Sequence, residues 1–240
     1  MRDYTKRNVS TLGDTAQTQA VEYDQGLRAH MLRVYNHMGI GLAITGLVAM
    51  LVAGSQDAMA LIFGTPLRWV VMLAPLGFVL FLSFKVMSMR ESTAKIVFYT
   101  YAAAMGLSLS ALLVVYTGES IARTFFISAS VFGAMSLYGY TTKKDLSGMG
   151  SFLFMGLIGL ILASVVNMFM ESSALQFAIS AIGVLIFVGL TAYDTQKIKE
   201  TYYTIGEQYA GRAAILGALS LYLDFINLFI YMLQFLGNRE

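Results

Sequence analysis

Apolar residues in this chain come in long unbroken runs. Seven runs cover residues 34–54, 69–84, 96–116, 124–140, 152–170, 174–193 and 213–236, with short polar connectors between them. A helix needs about 17–25 such residues to cross the hydrocarbon layer of a bilayer, and the second and fourth runs reach that length with a turn added at each end. A membrane barrel strand would be about 10 residues long with alternating polarity. The stretch Gly156-Leu-Ile-Gly-Leu-Ile-Leu-Ala shows no such alternation. The pattern therefore predicts an all-α integral membrane protein with seven transmembrane helices.

The basic residues orient those helices. Of 16 lysines and arginines, 13 fall in the N-terminal segment and in the connectors after spans two, four and six. The other three are Arg68, Arg123 and Arg239. Positive charge is retained on the cytoplasmic side, so the N-terminus is expected in the cytoplasm and the C-terminus in the periplasm. Adding or removing one span would scramble this alternation. Residues 1–26 are polar and lack a signal peptide's apolar stretch. They read as a cytoplasmic tail, with 22–33 as an interfacial helix entering span one and 27–240 as a single transmembrane domain.

Composition narrows the function classes. The chain is 57% apolar and only 12% charged, where soluble domains carry about 25% charged residues. A soluble enzyme is thereby excluded, and so is a disordered chain. The 240 residues contain no cysteine, which removes thiol catalysis, Fe–S clusters and Cys-ligated zinc. A net charge of +2 does not point to nucleic acid. The bilayer is the one partner that composition requires, and no cofactor is expected.

Most polar positions within the spans have structural readings. Gly156 with Gly159, and Ala129 with Gly133, suit close helix approach. Pro75 is expected to kink span two, Trp69 to anchor at the interface, and His37 to make a hydrogen bond near the end of span one. Asp224 is different. It lies about 16 Å of helix rise into span seven, near the midplane, where an aspartate costs about 2.5–3.5 kcal/mol on insertion scales. Ser220, Asp224, Asn227, Tyr231 and Gln234 fall within about 80° of one another on a helix. A helix with such a stripe belongs inside the bundle, so span seven is expected at the centre with six helices around it. The competing reading of the stripe is a polar seam joining helices. Asp194, near the end of span six, is the second candidate, with Lys197 and Lys199 expected to snorkel toward headgroups. If the two carboxylates meet, they share one proton and change charge near neutral pH. Doubly ionised, they form a candidate Ca²⁺ site. A cation from span two, Lys85 or Arg90, is then a candidate latch that locks the ionised pair and is released on protonation.

Three segments carry a resemblance. Leu137-Tyr-Gly-Tyr-Thr-Thr-Lys-Lys-Asp-Leu-Ser147, Gly189-Leu-Thr-Ala-Tyr-Asp-Thr-Gln-Lys-Ile-Lys199 and Ser220-Leu-Tyr-Leu-Asp-Phe-Ile-Asn-Leu-Phe229 resemble the Bax inhibitor-1 family in its bacterial branch. The resemblance implies six helices around a central seventh, in a bacterial inner membrane. It implies a pH-sensitive calcium leak in which an aspartate ending helix six and another in helix seven form a hydrogen-bonded dyad, matched here by Asp194 and Asp224. Channel-type members carry a run of arginines after span two. This chain has Lys85 and, further on, Arg90, and a lysine lacks the bidentate fork of an arginine. The resemblance also implies an alternative role, as a non-conducting partner of a membrane-anchored ATP-dependent protease acting through the N-terminal tail.

Other two-aspartate or seven-helix classes fit less well. An intramembrane aspartyl protease needs Gly-x-Gly-Asp, but Asp224 follows Leu221-Tyr-Leu. A retinal pigment needs a lysine in span seven, and none is there.

Overall fold

The computed structural model describes residues 3–238, with side chains described from Gln25 onward except that of Glu207. Seven helices are long and apolar enough to cross a membrane. They are α1 (Asp3–Ala53, crossing over Gln25–Ala53), α2 (Leu67–Lys85), α3 (Glu91–Leu109), α4 (Gly118–Thr141), α5 (Ser147–Met170), α6 (Ser173–Thr204) and α7 (Ala210–Leu236). A short helix, Gln56–Phe63, links α1 to α2, and a helical turn, Leu112–Val115, prolongs α3. Every expected span is present, and most run a turn or more past their expected ends.

The expected interfacial helix over 22–33 is different where it is described. From Gln25 onward it is part of α1, and Leu27, His30 and Met31 are buried. These side chains pack against the bundle, so the segment continues the span. The protease-partner reading rests on the tail, and the side chains of residues 1–24 lie outside the described part.

Helix α7 is the central helix. Two-thirds of its most apolar window (67%) is buried inside the protein, against 17–39% for the other six spans. It packs on α1, α3, α4 and α6. Helices α2 and α5 stand further out, with α2 resting on α3 and α5 on α6.

Local chemistry sets the ends of the helices. Thr117 and Ser172 cap α4 and α6 by accepting the N–H groups of Ser120 and Leu175 at 3.3 Å. Between α5 and α6 the chain reverses through Glu171, the only described non-glycine residue with a positive φ (50°). Asn167 accepts the Ser172 N–H there at 3.1 Å. Pro75 lies buried within α2, where its ring removes one backbone hydrogen bond.

Close helix approach occurs at glycines other than those expected. A Cβ on Gly139 would meet the Ala192 carbonyl oxygen at 2.2 Å, and one on Gly106 the Thr45 carbonyl oxygen at 2.6 Å. These contacts bring α4 against α6 and α3 against α1. A Cβ on Gly133 or Gly159 would meet nothing within 4 Å, and one on Gly156 would meet only the side chain of Ile186, at 3.2 Å. Gly133 is exposed, while Phe132 and Ser136 beside it on α4 are buried toward the bundle.

The two ends of the bundle are chemically distinct. Arg212 donates to the Met87 carbonyl at 2.8 Å, Lys199 to the Tyr140 carbonyl at 2.9 Å, and Gln196 to the Lys144 carbonyl at 2.8 Å. These bonds gather the connectors after α2, α4 and α6 at one end, the basic end. At the opposite end Asn238 receives the Thr117 N–H at 3.2 Å and donates its own N–H to Ser120 at 2.9 Å.

Candidate functional site

Asp194 and Asp224 enter the bundle from antiparallel neighbours. Helix α6 continues to Thr204, so Asp194 lies about 15 Å of helix rise before its end, deeper than a helix stopping at Lys199 would place it. Asp224 lies about 21 Å beyond the start of α7. On this count the two differ in depth by about 6 Å.

Both carboxylates line one cavity of about 850 Å³. Its floor is α6 and α7. Leu76 and Val79 of α2 wall one side, and Gly150 to Ile161 of α5 the other. Ser220, Asn227 and Tyr231 line it as well, so four of the five stripe residues share one cavity. Asp224 is buried at 4% exposure, and its Oδ2 has no hydrogen-bond partner among the described residues. Asp194 is half-buried. The charge of Asp194 acts on Asp224, but no hydrogen bond between them is found among the described residues. Both residues line the same cavity.

The rest of the stripe divides by role. Asn227 donates to the Leu223 carbonyl of its own helix at 2.8 Å. Tyr231 stacks on Phe187, with ring centroids 5.7 Å apart, and fills the space over Gly183, where a Cβ would meet the ring at 2.6 Å. Gln234 does not line the cavity. Its Oε1 accepts from Gln176 at 3.0 Å, and Gln176 in turn accepts from Asn167 at 3.1 Å. This amide cluster ties α5, α6 and α7 together, so at Gln234 the polar-seam reading holds.

A second cavity of about 300 Å³ lies toward the basic end and includes His30, Met87, Asp194, Lys197 and Ser220. Asp194, Lys197 and Ser220 line both spaces, which makes them the junction between the interior and the basic end. The cation whose charge acts on Asp194 is Lys197, three residues further along α6. Lys197 also lies 5.7 Å from the centroid of the Tyr193 ring.

Lys85 and Arg90 do not reach the carboxylates. Both are exposed, and the only ion pair among the described residues joins Lys95 to Glu91 at 2.6 Å. After Lys85 the chain tightens into a 3₁₀ turn that buries Val86 and leaves the lysine on the outside. Lys197 is the nearest acting charge, but it is exposed and forms no ion pair with a described residue. Reading the sequence alone assigns Lys197 to the headgroups and passes over Gln196. Gln196 is buried and holds the connector between α4 and α5 through both ends of its amide, at 2.8 Å each. A long polar residue within a turn of a membrane aspartate is the signal that could have found it.

His37 behaves as expected, with Nδ1 2.7 Å from the Tyr99 hydroxyl. Among the described residues no three His, Asp or Glu side chains converge as a metal cluster. Asp194 and Asp224, with Asn227 and Ser220 nearby, are the oxygen ligands the cavity offers to a cation.

Comparison with known proteins agrees with this architecture. The sequence model of the family described as inhibitor of apoptosis-promoting Bax1 matches residues 27–240. The chain is 51% identical over 241 residues to a protein of Rickettsia prowazekii, covering the whole of both chains. It is 48% identical over 223 residues to the inner membrane protein YbhL of Escherichia coli, covering 90% of this chain and 94% of that one. It is 48% identical over 229 residues to a protein of Caulobacter vibrioides, covering 90% and 92%. With seven membrane-spanning helices, the last of them buried at the centre, and a family match over nearly its whole length, the chain belongs to the Bax inhibitor-1 family of integral membrane proteins.

Proposed function

We propose that this protein is a pH-sensitive cation leak pathway, with calcium the candidate ion and Asp194 and Asp224 the gating pair. The observation that supports this best is that both carboxylates open onto one cavity within the spanning bundle, and that Asp224 Oδ2 is buried there without a partner. A buried carboxylate that served only as glue would be matched by donors, as Gln234 is. Two carboxylates in a dry site favour holding one proton between them. Loss of that proton leaves hard oxygen ligands suited to a divalent cation. Lys197, at the junction of the two cavities, is the counter-charge that the ionised pair holds across the path, and protonation of the pair releases it, so acid opens the leak.

The basic end is taken as cytoplasmic, following the rule that positive charge is retained inside, and the membrane as a bacterial inner membrane, like that of the named Escherichia coli relative. Calcium flux into proteoliposomes tests the reading. Flux is expected to be faster near pH 6 than near pH 8, and the difference to vanish in Asp194→Asn and in Asp224→Asn. Equal flux at both pH values, or an unchanged pH response in the variants, overturns the gating model. Absence of flux, with a membrane protease that co-purifies only when residues 1–24 are present, would move the function to the partner role.

A further inference from the structure

Away from the carboxylate cavity, α1 and α4 are bridged at the basic end by a hydrogen bond between the Tyr35 hydroxyl and the Ser136 hydroxyl. Beside this bridge runs a groove of about 480 Å³. Leu32 on α1 and Gly133 and Leu137 on α4 form its apolar walls. All three are exposed, and a Cβ on Gly133 would meet nothing within 4 Å, so the groove has open space there.

The mouth of the groove is polar and cationic. Arg28 and Tyr140 line it. Arg28 is exposed and makes no ion pair with a described residue. Lys199 approaches from behind, donating to the Tyr140 carbonyl at 2.9 Å with its ammonium 5.4 Å from the Tyr140 ring centroid. Among the described residues no acidic side chain lines the groove.

We propose that this groove is a binding site for an anionic phospholipid, with one acyl chain along Leu32, Gly133 and Leu137 and the phosphate at Arg28. The argument is charge complementarity joined to shape. A soluble anion would leave the apolar walls unused, and a neutral lipid would leave the arginine uncompensated. An amphiphile with a negative head satisfies both parts at once. Basic pockets between transmembrane helices recognise acidic headgroups in this way, at about 1 kcal/mol per basic residue. The site is separate from the proposed leak pathway and does not depend on it.

Native mass spectrometry of the full chain in detergent, with equal amounts of phosphatidylglycerol and phosphatidylcholine, tests the proposal. The unmodified protein is expected to retain phosphatidylglycerol preferentially. Arg28→Gln is expected to lower that preference about fivefold. Gly133→Leu, which has room for its side chain, is expected to displace the bound lipid by filling the groove. Arg90→Gln, at the same end but outside the groove, is expected to leave the preference intact. Equal retention of the two lipids by the unmodified protein overturns the site. So does an unchanged preference in Arg28→Gln, or a loss in Arg90→Gln as large as in Arg28→Gln, since that would be the response of a diffuse surface charge.

Discussion

Helix α7 faces two cavities of similar size and opposite character. On one side Ser220, Asp224, Asn227 and Tyr231 line about 850 Å³ together with α2, α5 and α6. On the other, Phe225, Ile226, Phe229 and Leu233 line about 740 Å³ together with α1, α3 and α4. Thr45 enters the second space, but its hydroxyl is already engaged by the Ala102 carbonyl at 2.8 Å and the Tyr222 hydroxyl at 2.6 Å. Volume therefore does not make a route for ions. In the proposed leak the route is set by which face of one helix carries groups able to replace water around a charge, and α7 can hold both faces because it is the helix most buried in the bundle.

Exchanging the chemistry of the two faces gives the largest effect. Phe229→Asp puts a carboxylate into the apolar space and removes a ring packed edge-on against Phe125, with centroids 6.3 Å apart. A loss of about 3–5 kcal/mol is expected in reversible unfolding from mixed micelles, with no new calcium flux. Asp224→Leu is the converse. Replacing an unpartnered buried carboxylate by a hydrocarbon is expected to stabilise the protein by about 1–4 kcal/mol while abolishing the pH response of the leak. Stability that falls in Asp224→Leu would mean that the carboxylate is part of the packing and not a functional cost.

Glycines sharpen the same contrast. Gly183→Leu drives its side chain into the Tyr231 ring on the polar side and is expected to cost about 1–3 kcal/mol. Gly46 lines the apolar space with no neighbour within 4 Å of a Cβ. Gly46→Ala is expected to leave stability unchanged or raise it by up to about 1 kcal/mol through helix propensity. Melting temperatures in one detergent would separate the pair.

Much of this was legible in the sequence because a bilayer enforces simple rules. Runs of apolar residues announced all seven spans, and one aspartate amid apolar neighbours announced both Asp224 and the central position of α7. Span ends were less legible, since α6 runs on to Thr204 through polar residues that a hydropathy count discards. Contacts between helices were not legible at all. Gly139 and Gly133 are both glycines of α4, yet one meets Ala192 and the other opens on a groove, and only the rotation of α4 about its axis decides which. The latch reading failed for the same reason. Lys85 and Lys197 are both lysines near a helix end, and their distance from Asp194 depends on how the helices pack.

Between the two faces, inside the core, Thr45 tests how the apolar side tolerates a hydroxyl. Its Oγ1 is the only described partner of the Tyr222 hydroxyl. Thr45→Val keeps the shape and strands that hydroxyl, an expected cost of about 1–3 kcal/mol. Adding Tyr222→Phe is expected to recover most of it, because both polar groups are then gone. A double variant as unstable as the single one would show that the loss came from packing.

The smallest effect belongs to the aspartate that water covers. Asp145, in the connector before α5, accepts the Ser147 N–H at 2.8 Å. Hydrogen bonds from the Ser147 hydroxyl and backbone hold its carboxyl below the usual carboxylate range. A folded-state value below the unfolded one means that the stabilisation is complete above the ordinary carboxylate pKa and is lost as pH falls through the lower, folded-state value. Because Asp145 is fully exposed to solvent, Asp145→Ala is expected to lower the melting temperature only slightly at neutral pH, and by still less once the solution is acid enough to protonate the carboxylate in the unmodified protein. Asp224 and Asp145 thus bracket what one side chain does in this fold. At the connector, water supplies what Ser147 does not, and the residue is dispensable. In the bundle Asp224 Oδ2 has no partner among the described residues, and the proposed gating assigns that carboxylate a proton or a cation. A drop in melting temperature for Asp145→Ala as large as that for Thr45→Val would mean that this connector contributes to the packing of α5 and α6, and the contrast between the two aspartates would lose its physical basis.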